Sequence, residues 1–234
     1  MNEDYIIKAI EEYLQKCSVT LKQVRAAIEP TINELVGNNR LVKEILLDEI
    51  PRFYRDNYNR KWEKSLVYDS DMIGYENDGD KSKVGISPEA RRIGTHEGLF
   101  LSFHNHPDGS AEFSGDDFLF MAGYKTEYNV CVSKGTIAIT KTRLKPSDMD
   151  TLRDIDNNLC GLYTLELIAG SNDNGLFEVR KDYGNGKITE SEYQENLKKI
   201  ISDSMDKNFE KNIKTYGNAF KNAGLDIEYY GIRV

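Results

Sequence analysis

The chain has 234 residues, of which 30% are charged and 39% hydrophobic, and its formal net charge is −8. Its 14 Tyr and 9 Phe supply more aromatic surface than a disordered chain contains. The acidic balance, without any block of Lys and Arg, argues against nucleic acids and anionic membranes as general partners. We therefore expect a folded protein that is large enough to be an enzyme.

Cysteine usage and the first residues indicate where the protein works. Cys17, Cys131 and Cys160 are widely spaced and odd in number, which excludes a disulfide framework and a Cys-x-x-Cys zinc site. The chain begins with acidic residues in a helical pattern instead of the basic start of a signal peptide, and no apolar run reaches about 18 residues. These features favour a cytoplasmic protein.

Residues 1–62 predict an N-terminal helical section. Apolar residues recur there at helical spacing, at Ile6, Ile7, Ile10 and Leu14 and again at Leu41, Ile45, Leu46 and Ile50. Residues 63–145 change to short β-rich runs, which are SLVYD, MIGYE, KVGIS, LFLSF, YNVCV and TIAIT. Helices are expected among them at 88–93 and 115–124.

Residues 146–234 predict a C-terminal helical section that packs on this core. We expect helices at 147–167 and 189–222, the second capped by Thr189, and then a β-like tail, DIEYYGIRV. The pattern therefore predicts the α/β fold class, with additional helical sections at both ends.

The chemistry is concentrated after the run LFLSF. Two of the three histidines occur in the sequence His104-Asn105-His106-Pro107. Residues two apart in a strand project from the same face, so both imidazoles can bind one ion while Asn105 points away. Imidazole suits zinc, and catalytic zinc sites commonly use three protein ligands.

The third ligand should come from Ser114-Gly115-Asp116-Asp117, which opens the helix predicted at 115–124. Asp117 would lie in the first helical turn and could return toward the end of the histidine strand. The same spacing also fits a capping box, with Ser114 as N-cap and Asp117 at the third position. The two interpretations are compatible.

These residues resemble the motif of the JAMM (MPN+) zinc metalloproteases, which is an upstream Glu, then His-x-His-Pro, then Ser-x-x-Asp after a short spacer. The resemblance covers roughly residues 65–142 and implies a JAMM-like mixed β-sheet flanked by helices. It implies one zinc ion bound by His104, His106 and Asp117, and hydrolysis of a peptide or isopeptide bond. It also implies that the Ser114 hydroxyl stabilises the oxyanion and that the upstream Glu is the general base and acid.

Three upstream residues are candidates for that glutamate. Glu76 ends the hairpin LVYDSDMIGYE, which looks like the first hairpin of the family, and we predict it as the base. Glu89 follows Ser87-Pro88, where a helix N-terminus alone would favour an acidic residue. Glu97 lies in His-Glu-Gly-Leu-Phe, which misses the His-Glu-x-x-His motif.

The expected substrate is a protein or peptide, with ubiquitin-like modifiers among the candidates, because the family includes enzymes that remove them. The short segment after Asp117 is typical of a compact member of prokaryotic or phage-like type. Residues 77–98 are either a flap that grips an extended tail by strand addition or a solvated loop. The alternative function is a non-catalytic scaffold or phage assembly module with a structural zinc. Oligomeric state is not predicted.

Overall fold

The computed structural model describes residues 19–81, 83–107, 109–169 and 175–234. The helix predicted around residues 6–14 lies outside these ranges. Within them, none of the helices combines the length and the apolar character that a membrane span requires.

A six-stranded mixed sheet forms the centre of the protein, in the order β2-β1-β3-β4-β5-β6. The strands are β1 (Lys64–Tyr68), β2 (Gly74–Asp78), β3 (Leu101–Asn105), β4 (Tyr128–Ser133), β5 (Thr136–Thr142) and β6 (Ile227–Arg233). Strands β3 and β4 are parallel, and every other neighbouring pair is antiparallel. The mixed α/β class expected from the sequence is confirmed.

Seven helices and a short 3₁₀ turn at Pro146–Asp148 flank the sheet in the described ranges. The helices are α1 (Leu21–Val36), α2 (Arg40–Asn57), α3 (Pro88–Glu97), α4 (Gly115–Tyr124), α5 (Met149–Ala169), α6 (Leu176–Gly184) and α7 (Glu190–Asn222). Thr189 caps α7 as predicted.

Two local predictions were wrong. The run KVGIS forms no strand, because residues 83–87 are an irregular segment whose Gly85 carbonyl accepts hydrogen bonds from side chains, those of Ser65 and Asn77. Helix α6 was missed, since its short apolar pattern is interrupted by charge and closed by Gly184.

The two faces of the sheet carry different helices. One face packs against α1 and α2 through a large apolar core that includes Leu101 and Phe103 of β3. The other face packs against α4, α5 and α7 through a second core that includes Cys131 of β4. Alternation along β3 therefore turns Ser102 and His104 toward the second face, opposite the buried apolar pair.

Candidate metal centre

The two motif histidines converge at the end of β3. Their Nε2 atoms are 3.2 Å apart. The Nδ1 of His106 lies 3.1 Å from the carbonyl oxygen of Ser110, an acceptor, so this nitrogen donates and leaves Nε2 as the ligand atom. Backbone contacts after the strand thus fix the tautomer that a metal ion needs.

Asp117 reaches the same place from the first turn of α4. Its Oδ1 is 3.4 Å from His104 Nε2, and its Oδ2 is 4.0 Å from His106 Nε2. Ligands around a tetrahedral zinc are about 3.3 Å apart when each zinc–nitrogen distance is about 2.0 Å. The separations of 3.2 and 3.4 Å from His104 fit two ligand pairs of one small metal ion, whereas Asp117 and His106, at 4.0 Å, lie further apart.

Ser114 holds this carboxylate through the capping box that the spacing predicted. The Ser114 hydroxyl and backbone N–H each donate to Asp117 Oδ2 over 2.7 Å, and the Asp117 N–H donates back to the hydroxyl. Asp117 can therefore cap the helix and face the histidines at the same time, because Oδ2 accepts the capping hydrogen bonds while Oδ1 faces His104.

Cys131 was not predicted to take part, yet it lies beneath the histidines. It is paired with His104 across β3 and β4, and its sulfur lies within 4.8 Å of a ligand atom of each histidine. The largely buried group of His104, His106 and Cys131 could hold a metal ion. A residue on a neighbouring strand can be assigned to such a group only when the register is known, which the sequence does not give.

The donors adjust one another's protonation. Burial alone would raise the pKa of Asp117 and of Cys131, but the adjacent imidazoles lower both. Burial alone would lower the pKa of His106, but the charge of the Cys131 thiolate raises it to about 9. The two acidic donors thus favour their anionic forms, which is the state that metal ligands must adopt.

The structure does not bring Glu76 to this centre. Glu76 is the cross-strand partner of Leu66, whose side chain packs on the α1–α2 face of the sheet. Its carboxylate binds Lys64 Nζ at 2.6 Å, and its side chain is 62% exposed. A shift of one residue along a strand reverses the face, so Glu76 lies on the side away from the histidines.

Glu89 and Glu97, the other two candidates, are both exposed on α3 and do not line the cavity at the histidines. Glu89 occupies the first turn of α3, as its position beside Ser87-Pro88 suggested. None of the three glutamates predicted from the sequence is therefore near the metal ligands.

Glu63, which the sequence interpretation passed over, lines the cavity with both histidines. It directly precedes β1, and continuing the β1–β3 register by two residues sets it opposite His106. The residue is only 8% exposed. Burial raises its pKa, an effect that the two histidines partly oppose.

Asn105 fixes the backbone around Glu63. Its side-chain oxygen accepts the Lys64 N–H at 2.7 Å, and its amide nitrogen donates to the Trp62 carbonyl at 3.2 Å. Glu63 itself donates its N–H to Asp80 and accepts from the Gly79 N–H. Asn105 therefore holds the backbone of Trp62 and Lys64, the two neighbours of Glu63, in place.

These groups open into a cavity of about 360 Å³. His104, His106, Ser114 and Asp117 line it together with Glu63. Residues 83–86 of the irregular segment and further residues of helix α4 line it as well. The predicted strand-adding flap at residues 77–98 is thus divided, since only its middle part borders the cavity and its end is helix α3.

Comparison with models of protein families gives no match, and comparison with curated proteins finds no relative of significant similarity.

Proposed function

We propose that this chain is a zinc-dependent hydrolase of peptide or isopeptide bonds, related to the JAMM metalloproteases. One observation carries the proposal: two imidazole Nε2 atoms and a carboxylate converge within 3.2 to 4.0 Å of one another in a cavity that a buried glutamate also lines. His104, His106 and Asp117 would hold the ion. Bound zinc would polarise the scissile carbonyl and lower the pKa of a bound water.

Glu63 is the general base in this proposal and takes the place predicted for Glu76. Its raised pKa suits a carboxylate that first removes a proton from water and then delivers it to the leaving nitrogen. Asn105 positions it through the backbone of Trp62 and Lys64. Ser114 lines the same cavity, and its hydroxyl would turn from Asp117 Oδ2 to donate to the developing oxyanion.

The substrate in this proposal is a protein or peptide whose extended chain passes between α4 and residues 83–86. A ubiquitin-like modifier with a flexible C-terminal tail is one candidate, as the family resemblance implies. The proposed location remains the cytoplasm.

The test measures zinc content and cleavage together. Wild-type protein should hold one zinc per chain, and His106→Ala should lose it. A panel of ubiquitin-like fusion proteins and unstructured peptides is then incubated with wild type, Glu63→Gln and Glu76→Gln. We expect Glu63→Gln to reduce turnover by about a thousandfold with zinc retained, because general bases contribute about 10²- to 10⁴-fold.

Glu76→Gln is the matched control, since it makes the same chemical change on the other face of the sheet. Its turnover should equal that of wild type. Zinc-free wild-type protein would contradict the proposal, and an inactive Glu76→Gln beside an active Glu63→Gln would return the base to the residue predicted from the sequence.

A second candidate function is a non-catalytic module with a structural metal, and the position of Cys131 favours it. A fourth protein ligand closes the coordination shell, as in structural zinc sites. Cobalt-substituted protein separates the two candidates, because a thiolate ligand gives an intense near-ultraviolet charge-transfer band. The catalytic proposal expects no such band, and Cys131→Ser should leave the cobalt spectrum unchanged.

A further inference from the structure

The cavity continues beyond the metal ligands along the face of the sheet. Ser102 and Asn129 lie two residues before His104 and Cys131 on β3 and β4, and they point to the same face. Two residues of strand span about 7 Å, so these side chains form a floor roughly one side-chain length from the ligands. Ser65 of β1, the cross-strand partner of His104, completes this floor on the side of the ligands.

This floor is polar, buried and uncharged. Ser65, Ser102 and Asn129 are 5%, 6% and 0% exposed. The Ser65 hydroxyl donates to the Gly85 carbonyl at 2.6 Å, and the Ser102 hydroxyl donates to Asn129 Oδ1 at 2.7 Å. Each hydroxyl proton is therefore already used, and each hydroxyl oxygen retains acceptor capacity.

The amide of Asn129 adds a donor. Its Nδ2 donates to the Thr126 carbonyl at 3.4 Å, which occupies one of its two hydrogens. Val67 lies beside Ser102 in the sheet, and Phe120 and Met121 of α4 also line the cavity, which adds apolar surface. A bound group is thus offered apolar contacts together with two acceptors and one donor.

We propose that this floor is a specificity pocket for the substrate residue next to the scissile bond, and that it selects a carboxamide side chain such as glutamine. The inference rests on the proposed metal-dependent hydrolysis and names the substrate class for it. A carboxamide can donate to the serine oxygens and accept from the asparagine. A carboxylate or an ammonium would lose its hydration there without an opposite charge on the floor.

Amino-acid hydroxamates test the pocket without requiring turnover, because the hydroxamate binds zinc and presents its side chain to the cavity. The Kd of alanine, glutamine, glutamate and lysine hydroxamates is measured by calorimetry on the zinc-loaded full chain. We expect glutamine hydroxamate to bind about tenfold more tightly than the other three, which corresponds to about 1.4 kcal/mol. Equal Kd values for glutamine and alanine hydroxamates would overturn the inference.

Two variants locate the effect. Ser102→Leu fills the pocket and should abolish the preference for glutamine while the Kd of alanine hydroxamate stays unchanged. Ser102→Ala removes only the hydroxyl and should reduce the preference to about threefold, consistent with one neutral hydrogen bond. Ser147→Leu, at the 3₁₀ turn outside the cavity, is the matched control and should behave as wild type.

Failure of the pocket and failure of the proposed function give different results. If alanine hydroxamate binds to the zinc-loaded protein and glutamine gains nothing, the pocket inference is wrong and the metal centre stands. If Ser102→Ala keeps the full preference, the floor is again wrongly assigned. Absence of bound zinc would remove the proposed function, and the inference with it.

Discussion

The two faces of the sheet are built by the same strands for different purposes. On β3, Leu101 and Phe103 enter the apolar core beneath α1 and α2, whereas Ser102 and His104 line the cavity beneath α4. Residues that support the core therefore alternate along β3 with residues that line the cavity. Substitutions at neighbouring positions should accordingly affect either stability or the candidate site.

The largest effect on stability is expected on the apolar face. Phe103 stacks on Phe53 with ring centroids 5.0 Å apart and meets Tyr68 edge-on. Phe103→Ala should lower the free energy of unfolding by about 3–5 kcal/mol, because it leaves a cavity in a packed core. Denaturant unfolding measures this loss. The folded fraction should retain one zinc per chain, and loss of zinc from folded protein would contradict the separation of the faces.

The reverse pattern, loss of zinc with little loss of stability, is expected at His106, three residues after Phe103. His106→Ala should abolish zinc binding, while the unfolding free energy of the metal-free protein should change by less than about 1 kcal/mol, as for partly exposed sites outside the core. Elemental analysis and denaturant unfolding are made on the same samples. A metal-free variant destabilised as strongly as Phe103→Ala would show that the histidine also supports the core.

Asn105 should affect both stability and activity. It is buried, and it holds the backbone on both sides of Glu63. Asn105→Ala should cost about 1–3 kcal/mol of unfolding free energy, because it leaves buried backbone groups without partners. Turnover should fall with zinc content intact. A conservative Asn105→Asp variant, which retains only the acceptor for Lys64, should recover part of the activity through a higher kcat.

The smallest effect is expected at the Lys64–Glu76 pair. Its glutamate is largely exposed, so the interaction should contribute about 0–1 kcal/mol. A double-mutant cycle of Lys64→Met and Glu76→Gln measures it. A coupling that exceeds this range and persists at high salt would indicate a structural role for β2 that its exposure does not suggest.

Local patterns predicted much of this molecule from the sequence. The bounds of α4, the caps at Ser114 and Thr189, and the positions of most strands follow from short-range signals. The convergence of His104, His106 and Asp117 follows from the period of a strand and the first turn of a helix. Each of these depends on residues that are close in the chain.

The placement of Glu63 and Cys131 could not be predicted in this way. Both depend on strand register across β1, β3 and β4, which is set by packing between distant segments. The hairpin that holds Glu76 was identified correctly, but its register turned the residue to the wrong face. A polar residue just before a strand that neighbours the histidines, such as Glu63, was the available signal.

The pairing of β6 with β5 makes the candidate site depend on a segment that is distant in the sequence. The Tyr229 hydroxyl accepts the N–H of Phe113 at 2.9 Å, and Phe113 lies against His104 with ring centroids 5.6 Å apart. Asn212 of α7 likewise donates to Glu112 in the same loop. Contacts between residues about a hundred positions apart close slowly in folding, because long loops cost entropy before any contact forms. The loop between His106 and Asp117 therefore reaches its final form only after β6 and α7 have docked, so the geometry of the candidate site depends on segments far from it in the sequence.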